Sequence, residues 1–210
     1  MRKPIHIMLS LIGLVKPLIG TMLLAIILGS LGHISAILIP SFGFYGLIQI
    51  FLSPNSFNVS WFIVLIIGVS VLRGIFRYGE QMSNHYIAFK ILAQIRHTLM
   101  VKLQSLAPAK LDQKHKGALI STLTTDVELL EVFYAHTISP IAIGWIVGGI
   151  LVIFFSFIHW GIALLAAISY ILMGWGVPRL KTTLALKVGF QLREKLASIQ
   201  AYYLDHLRGI

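Results

Sequence analysis

The sequence predicts an all-α membrane protein built on four long spanning helices. Three observations carry that prediction. Hydrophobic residues make up 57% of the chain and charged residues 11%, with a mean hydropathy of +0.87, whereas a soluble domain carries about a quarter charged residues. Four apolar stretches approach or exceed the ~20 residues that cross a bilayer. The Lys and Arg residues are confined to alternate connections between those stretches, the charge asymmetry that sets membrane topology.

The chain opens on Met1-Arg2-Lys3-Pro4, and no Asp, Glu, Lys or Arg falls between Pro17 and Leu52. A cleavable leader has a short apolar core ending at small residues, so this longer run reads as a retained first span over about 17–39. Pro40, Gly43 and Gly46 predict a kink, with the helix continuing beyond the bilayer. Ser53-Pro54-Asn55-Ser56 is a turn cluster, and Trp61 anchors the return span over about 60–80 at an interface. The helical pattern does not stop there. Ile91, Leu92, Ile95, Leu99 and Leu103 keep a 3.6-residue rhythm beside Lys90, Arg96 and Lys102, which projects the second helix out of the membrane until Pro108.

Residues 108–117 are polar and turn-rich. Ala118 to His136 then place Leu119, Leu123, Val127, Leu130 and Phe133 on one helical face. The third span covers about 138–158, with Pro140 near its start and Gly144, Gly148 and Gly149 available for close helix packing. His159-Trp160-Gly161 makes a short connection into a fourth span over about 161–178, and Arg179 to Ile210 reads as an amphipathic basic helix. The 17 Lys and Arg divide into 3 before the first span, 8 at or after the inner end of the second and 6 after the fourth; the connections 53–60 and 159–161 carry none. That distribution predicts both termini, 81–137 and 179–210 on the cytoplasmic side.

The same pattern disposes of several function classes. A net charge of +10 suggests nucleic acid, but basic clusters separated by apolar spans of bilayer length mark topology instead, so no nucleic-acid partner is expected. With no cysteine, thiol catalysis, disulfides and cysteine metal sites are unavailable. Phosphate-loop, H-E-x-x-H and G-x-S-x-G motifs are absent, so this stretch of chain holds no recognisable catalytic centre.

One stretch stands out, Arg73 to Arg96 in the second helix. At helical spacing Arg73, Arg77, Glu80, Gln81, Asn84 and His85 form a polar stripe, with Tyr78 beside Arg77, while Ile75, Phe76, Met82 and Phe89 point elsewhere. Ionisable groups at membrane depth are expensive and face a protein interior or a wet cavity. Arg77 and Glu80, at i and i+3, also read simply as an ion pair neutralising charge near the inner interface. His33, in the first span beside Ser35, is expected to hydrogen-bond across helices. His97, His115, His136, His159 and His206 are scattered without metal-ligand spacing, and Trp61, Trp145, Trp160 and Trp175 read as packing or interface anchors.

Long helices that run deep into the cytoplasm, joined by a short crossing segment, resemble the transmembrane domain of ABC exporters. Lys116-Gly117-Ala118-Leu119-Ile120-Ser121-Thr122-Leu123-Thr124-Thr125-Asp126-Val127 is similar to that family's first coupling segment. The resemblance makes Gly117, Leu119, Ser121 and Asp126 contacts to a nucleotide-binding domain. Asp205-His206-Leu207-Arg208-Gly209-Ile210 looks like the second coupling region, which adds Asp205 and Gly209. Leu106 to Leu111, Tyr134 to Pro140 and the stretch Arg73 to His85 resemble the CydC-type subunit of the exporter tied to cytochrome bd assembly, and its Gram-positive amino-acid-exporter-like relatives.

That subfamily carries an R-Y-x-E-R-x-x-S-H pattern whose His is implicated as an axial ligand to haem. Arg77, Tyr78, Glu80 and His85 match it here. Gln81 stands where arginine is frequent and Asn84 where serine is, which removes one cation for a haem propionate. The resemblance implies an N-terminal, partial transmembrane domain, with helices five and six and an ATP-binding domain to follow. It further implies ATP and magnesium in that domain, haem as a further group, a second half-transporter as heterodimer partner, surrounding lipid, and a bacterial cytoplasmic membrane. The intact protein would be an ATP-hydrolysing translocase moving haem, a small thiol or an amino-acid-like solute. A lipid, peptide or drug exporter without a haem role, and a four-span scaffold that transports nothing, are the alternatives.

Overall fold

A computed structural model describes residues 13, 15–53, 57–106, 127–179, 188–189, 191–192, 195–196 and 199. The architecture is all-helical. A short 3-10 turn, Lys16–Leu18, leads into α1 (Ile19–Leu52), followed by α2 (Val59–Leu106), α3 (Val127–Phe133), α4 (Ser139–Ile158) and α5 (Trp160–Ile171). Five-residue π turns at Tyr134–Ile138 and Leu172–Gly176 extend α3 into α4 and α5 towards Arg179. Four helical stretches are long and apolar enough to cross a membrane: Lys16–Leu52, Val59–Ser105, Leu130–Ile158 and Trp160–Arg179.

Length explains how far these helices reach. At ~1.5 Å per residue α2 extends roughly 72 Å, more than twice the ~30 Å hydrocarbon core. Asn58 caps its start, its Oδ1 accepting from the Trp61 N–H at 3.0 Å, where the first turn has no carbonyl partner of its own. α1 runs unbroken through Pro40 to Leu52. Hydroxyls within a span have no water to bond, so buried Ser35 and exposed Ser70 donate to carbonyls one turn back, Leu31 and Ile66, each at 2.8 Å.

Both π turns precede a proline. Pro140 and Pro178 lie four residues after His136 and Gly174, within the two wide turns. Proline has no N–H for the carbonyl four residues back and its ring crowds that carbonyl, so the backbone widens there instead of holding the α register.

Two compact units follow one another along the chain, residues 1–147 and 148–210. In the first, α1 and α2 pack antiparallel: Gly46 meets Phe62, Gly32 meets Phe76 and Arg77, and Gly29 meets Glu80. A buried cluster of Val15, Leu18, Ile87, Ala88, Ile91, Tyr134 and Ala135 ties the start of α1 to the middle of α2 and to the π turn. Arg96 to Glu128, 3.2 Å apart, adds an ion pair between α2 and α3.

In the second unit, Gly148 lets α4 approach α5, since a Cβ there would sit 3.2 Å from the Tyr170 ring. Gly144 and Gly149 meet nothing within 4 Å among the described residues, so of the three glycines expected to mediate packing only Gly148 does so here. His159 interrupts the chain in an extended conformation and caps α5, its Nδ1 accepting from the Gly161 N–H at 3.0 Å.

Candidate functional site

The stripe on α2 borders two small adjoining grooves in the first unit. One, of about 180 Å³, is lined by His33 of α1, by Arg77, Glu80 and Gln81 of α2, and by His136 of the π turn. The other, of about 220 Å³, is bordered by His33, Ala36, Arg73 and Arg77. His33 and Arg77 belong to both. Arg77 lies some 27 Å along α2 from Val59, about one bilayer core, so the grooves sit near one end of the second span.

Glu80 is the buried member, with 3% of its side chain exposed against 53% for Arg77. The Arg77 Nη1–H donates to Glu80 Oε2 at 2.6 Å. A carboxylate buried without a partner costs several kcal/mol, and this charge-assisted bond offsets that cost. Room for it comes from α1. A Cβ at Gly29 would stand 3.0 Å from Glu80 Cδ and 3.1 Å from Cγ, so glycine leaves the carboxylate stem room that any side chain would narrow. The bond takes one of the five guanidinium donors; the others have no partner among the described residues.

His33 does not bond across helices as its position suggested. Its Nδ1 lies 2.8 Å from the Gly29 carbonyl oxygen, one turn back on α1. A carbonyl only accepts, so Nδ1 carries the hydrogen and a neutral ring keeps its lone pair on Nε2. Backbone geometry thereby sets the tautomer of a groove-lining imidazole.

His85 lies further along α2, outside both grooves. Its Nδ1 is 3.4 Å from Glu131 Oε1; the ring stacks on Phe89 at 5.8 Å and meets His136 edge-on at 5.5 Å. His136, one of the scattered histidines, therefore joins the site: the π turn carries it to the α2 surface, and separation along the chain hid the pairing. Tyr78 projects away with 70% of its surface exposed and lines neither groove. Asn84, one turn on from Glu80, lines neither groove; it is 1% exposed beside buried Ser83, with Oδ1 unpartnered among the described residues. Gly117, Leu119, Ser121, Asp126, Asp205 and Gly209, the coupling residues, lie outside the described residues.

No group of three or more metal-capable side chains occurs among the described residues. The neighbours of His85 among the described residues are a carboxylate, a phenyl ring and a second imidazole. Arg77, a cation of the stripe, stands eight residues away, ~12 Å along the helix.

Residues 22–186 match the ABC transporter transmembrane region family. The chain belongs to that family. This ABC transporter transmembrane region is 39% identical over 204 residues to a probable ABC transporter ATP-binding/permease protein of Haemophilus influenzae, covering 97% of the chain and 37% of the relative. It is also 30% identical over 145 residues to the glutathione/L-cysteine transport system ATP-binding/permease protein CydC of Escherichia coli K12, covering 64% and 25%. The CydC protein of Haemophilus influenzae is 27% identical over 136 residues, covering 65% and 23%. The chain thus spans little more than a third of the first relative and about a quarter of the others.

Proposed function

We propose that this ABC transporter transmembrane region is the permease part of an ATP-driven, CydC-like exporter half-transporter, moving a small thiol or amino-acid-like solute across a bacterial cytoplasmic membrane. The observation that carries the reading is the Arg77–Glu80 pair, one member buried and one half-exposed, bordering two polar grooves near an end of the second span. A lipid or drug cavity is apolar with few polar groups; here Arg73, Arg77 and Glu80 border the grooves, beside Ala135, Pro140 and Ile143 in the smaller one. The relatives named for glutathione and L-cysteine transport support the same solute class.

In this reading the N-terminus is cytoplasmic, following the confinement of cations to alternate connections. ATP and magnesium belong to a nucleotide-binding domain of the intact protein, and a second half-transporter completes a heterodimer. ATP binding and hydrolysis drive alternation between inward- and outward-open states, with 117–126 and 205–210 passing the motion to the helices.

The test is ATP-dependent uptake of radiolabelled L-cysteine and glutathione into inside-out vesicles carrying the intact protein and its partner half. Accumulation that needs ATP and is lost in Arg77→Gln supports the proposal. ATP hydrolysis stimulated only by lipids, peptides or apolar drugs replaces it with an exporter of that class. Complete absence of ATP hydrolysis leaves a membrane scaffold.

A further inference from the structure

Arg77 and Glu80 differ in a way that an ion pair serving only to neutralise charge does not require. The carboxylate stem is clamped by α1 at Gly29, and its side chain is 3% exposed; the guanidinium is 53% exposed and borders both grooves. Glu80 also reaches the smaller groove, together with Gln81 and His33. A cation able to swing and a fixed anion thus open onto the same small polar space.

We infer that Arg77 and Glu80 are an exchangeable couple that selects solutes carrying a zwitterionic amino-acid headgroup. This rests on the proposed function and names the residues that set its specificity. The carboxylate of the solute takes the Arg77 guanidinium, and its ammonium takes the Glu80 carboxylate. One ion pair becomes two, and the groove stays electrically neutral before and after. Gln81 and the Nε2 of His33 supply neutral hydrogen-bonding partners at the edge. The smaller groove, about 180 Å³, has room for the five heavy atoms of such a headgroup. The adjoining groove takes the side chain.

Removing either end of the solute breaks the balance. A carboxylate without an ammonium draws Arg77 away and leaves Glu80 buried and unpaired. An ammonium without a carboxylate competes for Glu80 and offers Arg77 nothing. The first case strands a buried carboxylate, the costly condition; the second strands the half-exposed Arg77, which water partly compensates.

The experiment is calorimetric binding to the intact transporter with its partner half in lipid nanodiscs. The probes are L-cysteine, cysteamine (no carboxylate) and 3-mercaptopropionate (no ammonium). L-Cysteine is expected to bind at least ~100-fold more tightly than 3-mercaptopropionate, which strands the buried Glu80, and about tenfold more tightly than cysteamine, which leaves only the half-exposed Arg77 unmatched. Glu80→Gln is expected to weaken L-cysteine about tenfold and to strengthen 3-mercaptopropionate, because no carboxylate is then stranded. A merely structural role for Glu80 would weaken every probe alike. An analogue binding within threefold of L-cysteine overturns the inference. So does a lack of L-cysteine binding, even where ATP-driven uptake of another solute upholds the proposed function. Should Glu80→Gln fail to fold, the three probes on the unmodified protein decide the matter alone.

Discussion

Gly29 is where α1 comes nearest the buried ion pair, and alanine there tests the packing that holds it. The added Cβ would run into Cδ1 of Ile143 and lie 3.0 Å from Cδ and 3.1 Å from Cγ of Glu80. Ile143 Cδ1 ends a rotatable chain and yields. The Glu80 carbons retreat less easily, since their carboxylate is bonded to Arg77. Gly20, on the same helix, meets nothing within 4 Å and provides the comparison.

Alanine gains about 0.4–1 kcal/mol over glycine at either helical position. At position 29 that gain is set against an overpacking cost of about 1–3 kcal/mol. Gly20→Ala is therefore expected to stabilise slightly, and Gly29→Ala to fall below it by the overpacking cost. The shift is roughly 2–4 °C per kcal/mol for 150–250 residues and smaller in a longer protein, so Gly29→Ala should melt below Gly20→Ala by about 1–6 °C. Scanning fluorimetry of the purified intact protein in one detergent reads the difference. Ile143→Val deletes the Cδ1 atom, at a cost of about 0.5–1.5 kcal/mol alone. Combined with Gly29→Ala it should show a favourable coupling, because the two residues share one space. Gly29→Ala melting at or above Gly20→Ala would refute the reasoning.

Three further outcomes are expected. His85→Ala should leave the haem absorbance of the intact protein unchanged on titration, whereas a lost or shifted haem band would restore a ligand role to that imidazole. The chain has no cysteine, so single substitutions report topology directly: Ser53→Cys should react with an impermeant maleimide on intact cells and Ser105→Cys only after permeabilisation, and the reverse pattern would invert the proposed orientation. His159→Ala removes the acceptor for the Gly161 N–H and should cost about 0.5–2 kcal/mol, as lost helix caps do; an unchanged Tm would show that water caps α5 equally well.

Legibility in the sequence follows the range of the interactions involved. The long second helix was readable because its apolar rhythm is local, each turn repeating the pattern of the last. The Arg77–Glu80 pairing was readable too, since i and i+3 are neighbours on any helix. Tyr78 was grouped with the stripe by its place in a motif, yet one residue turns a side chain by about 100°, and it faces away with 70% exposed. His33 was expected to look outward for a partner and found one on its own helix, because a carbonyl one turn back is always within reach.

Composition and charge pattern alone determined that the chain is helical, lies in a membrane and crosses it four times. These follow from the cost of an unsatisfied backbone in lipid and from the placement of cations, and neither depends on which helix packs against which. Tertiary structure decided everything that joins distant positions. It set Gly29 against Glu80, which makes a buried carboxylate sterically admissible. It brought His136 beside His85 through a π turn that Pro140 favours, by withholding the hydrogen bond of the ordinary helical register. It also divided the stripe into a groove wall of Arg77, Glu80 and Gln81 and a buried Asn84, because packing against neighbouring helices selects among positions that periodicity alone leaves equivalent.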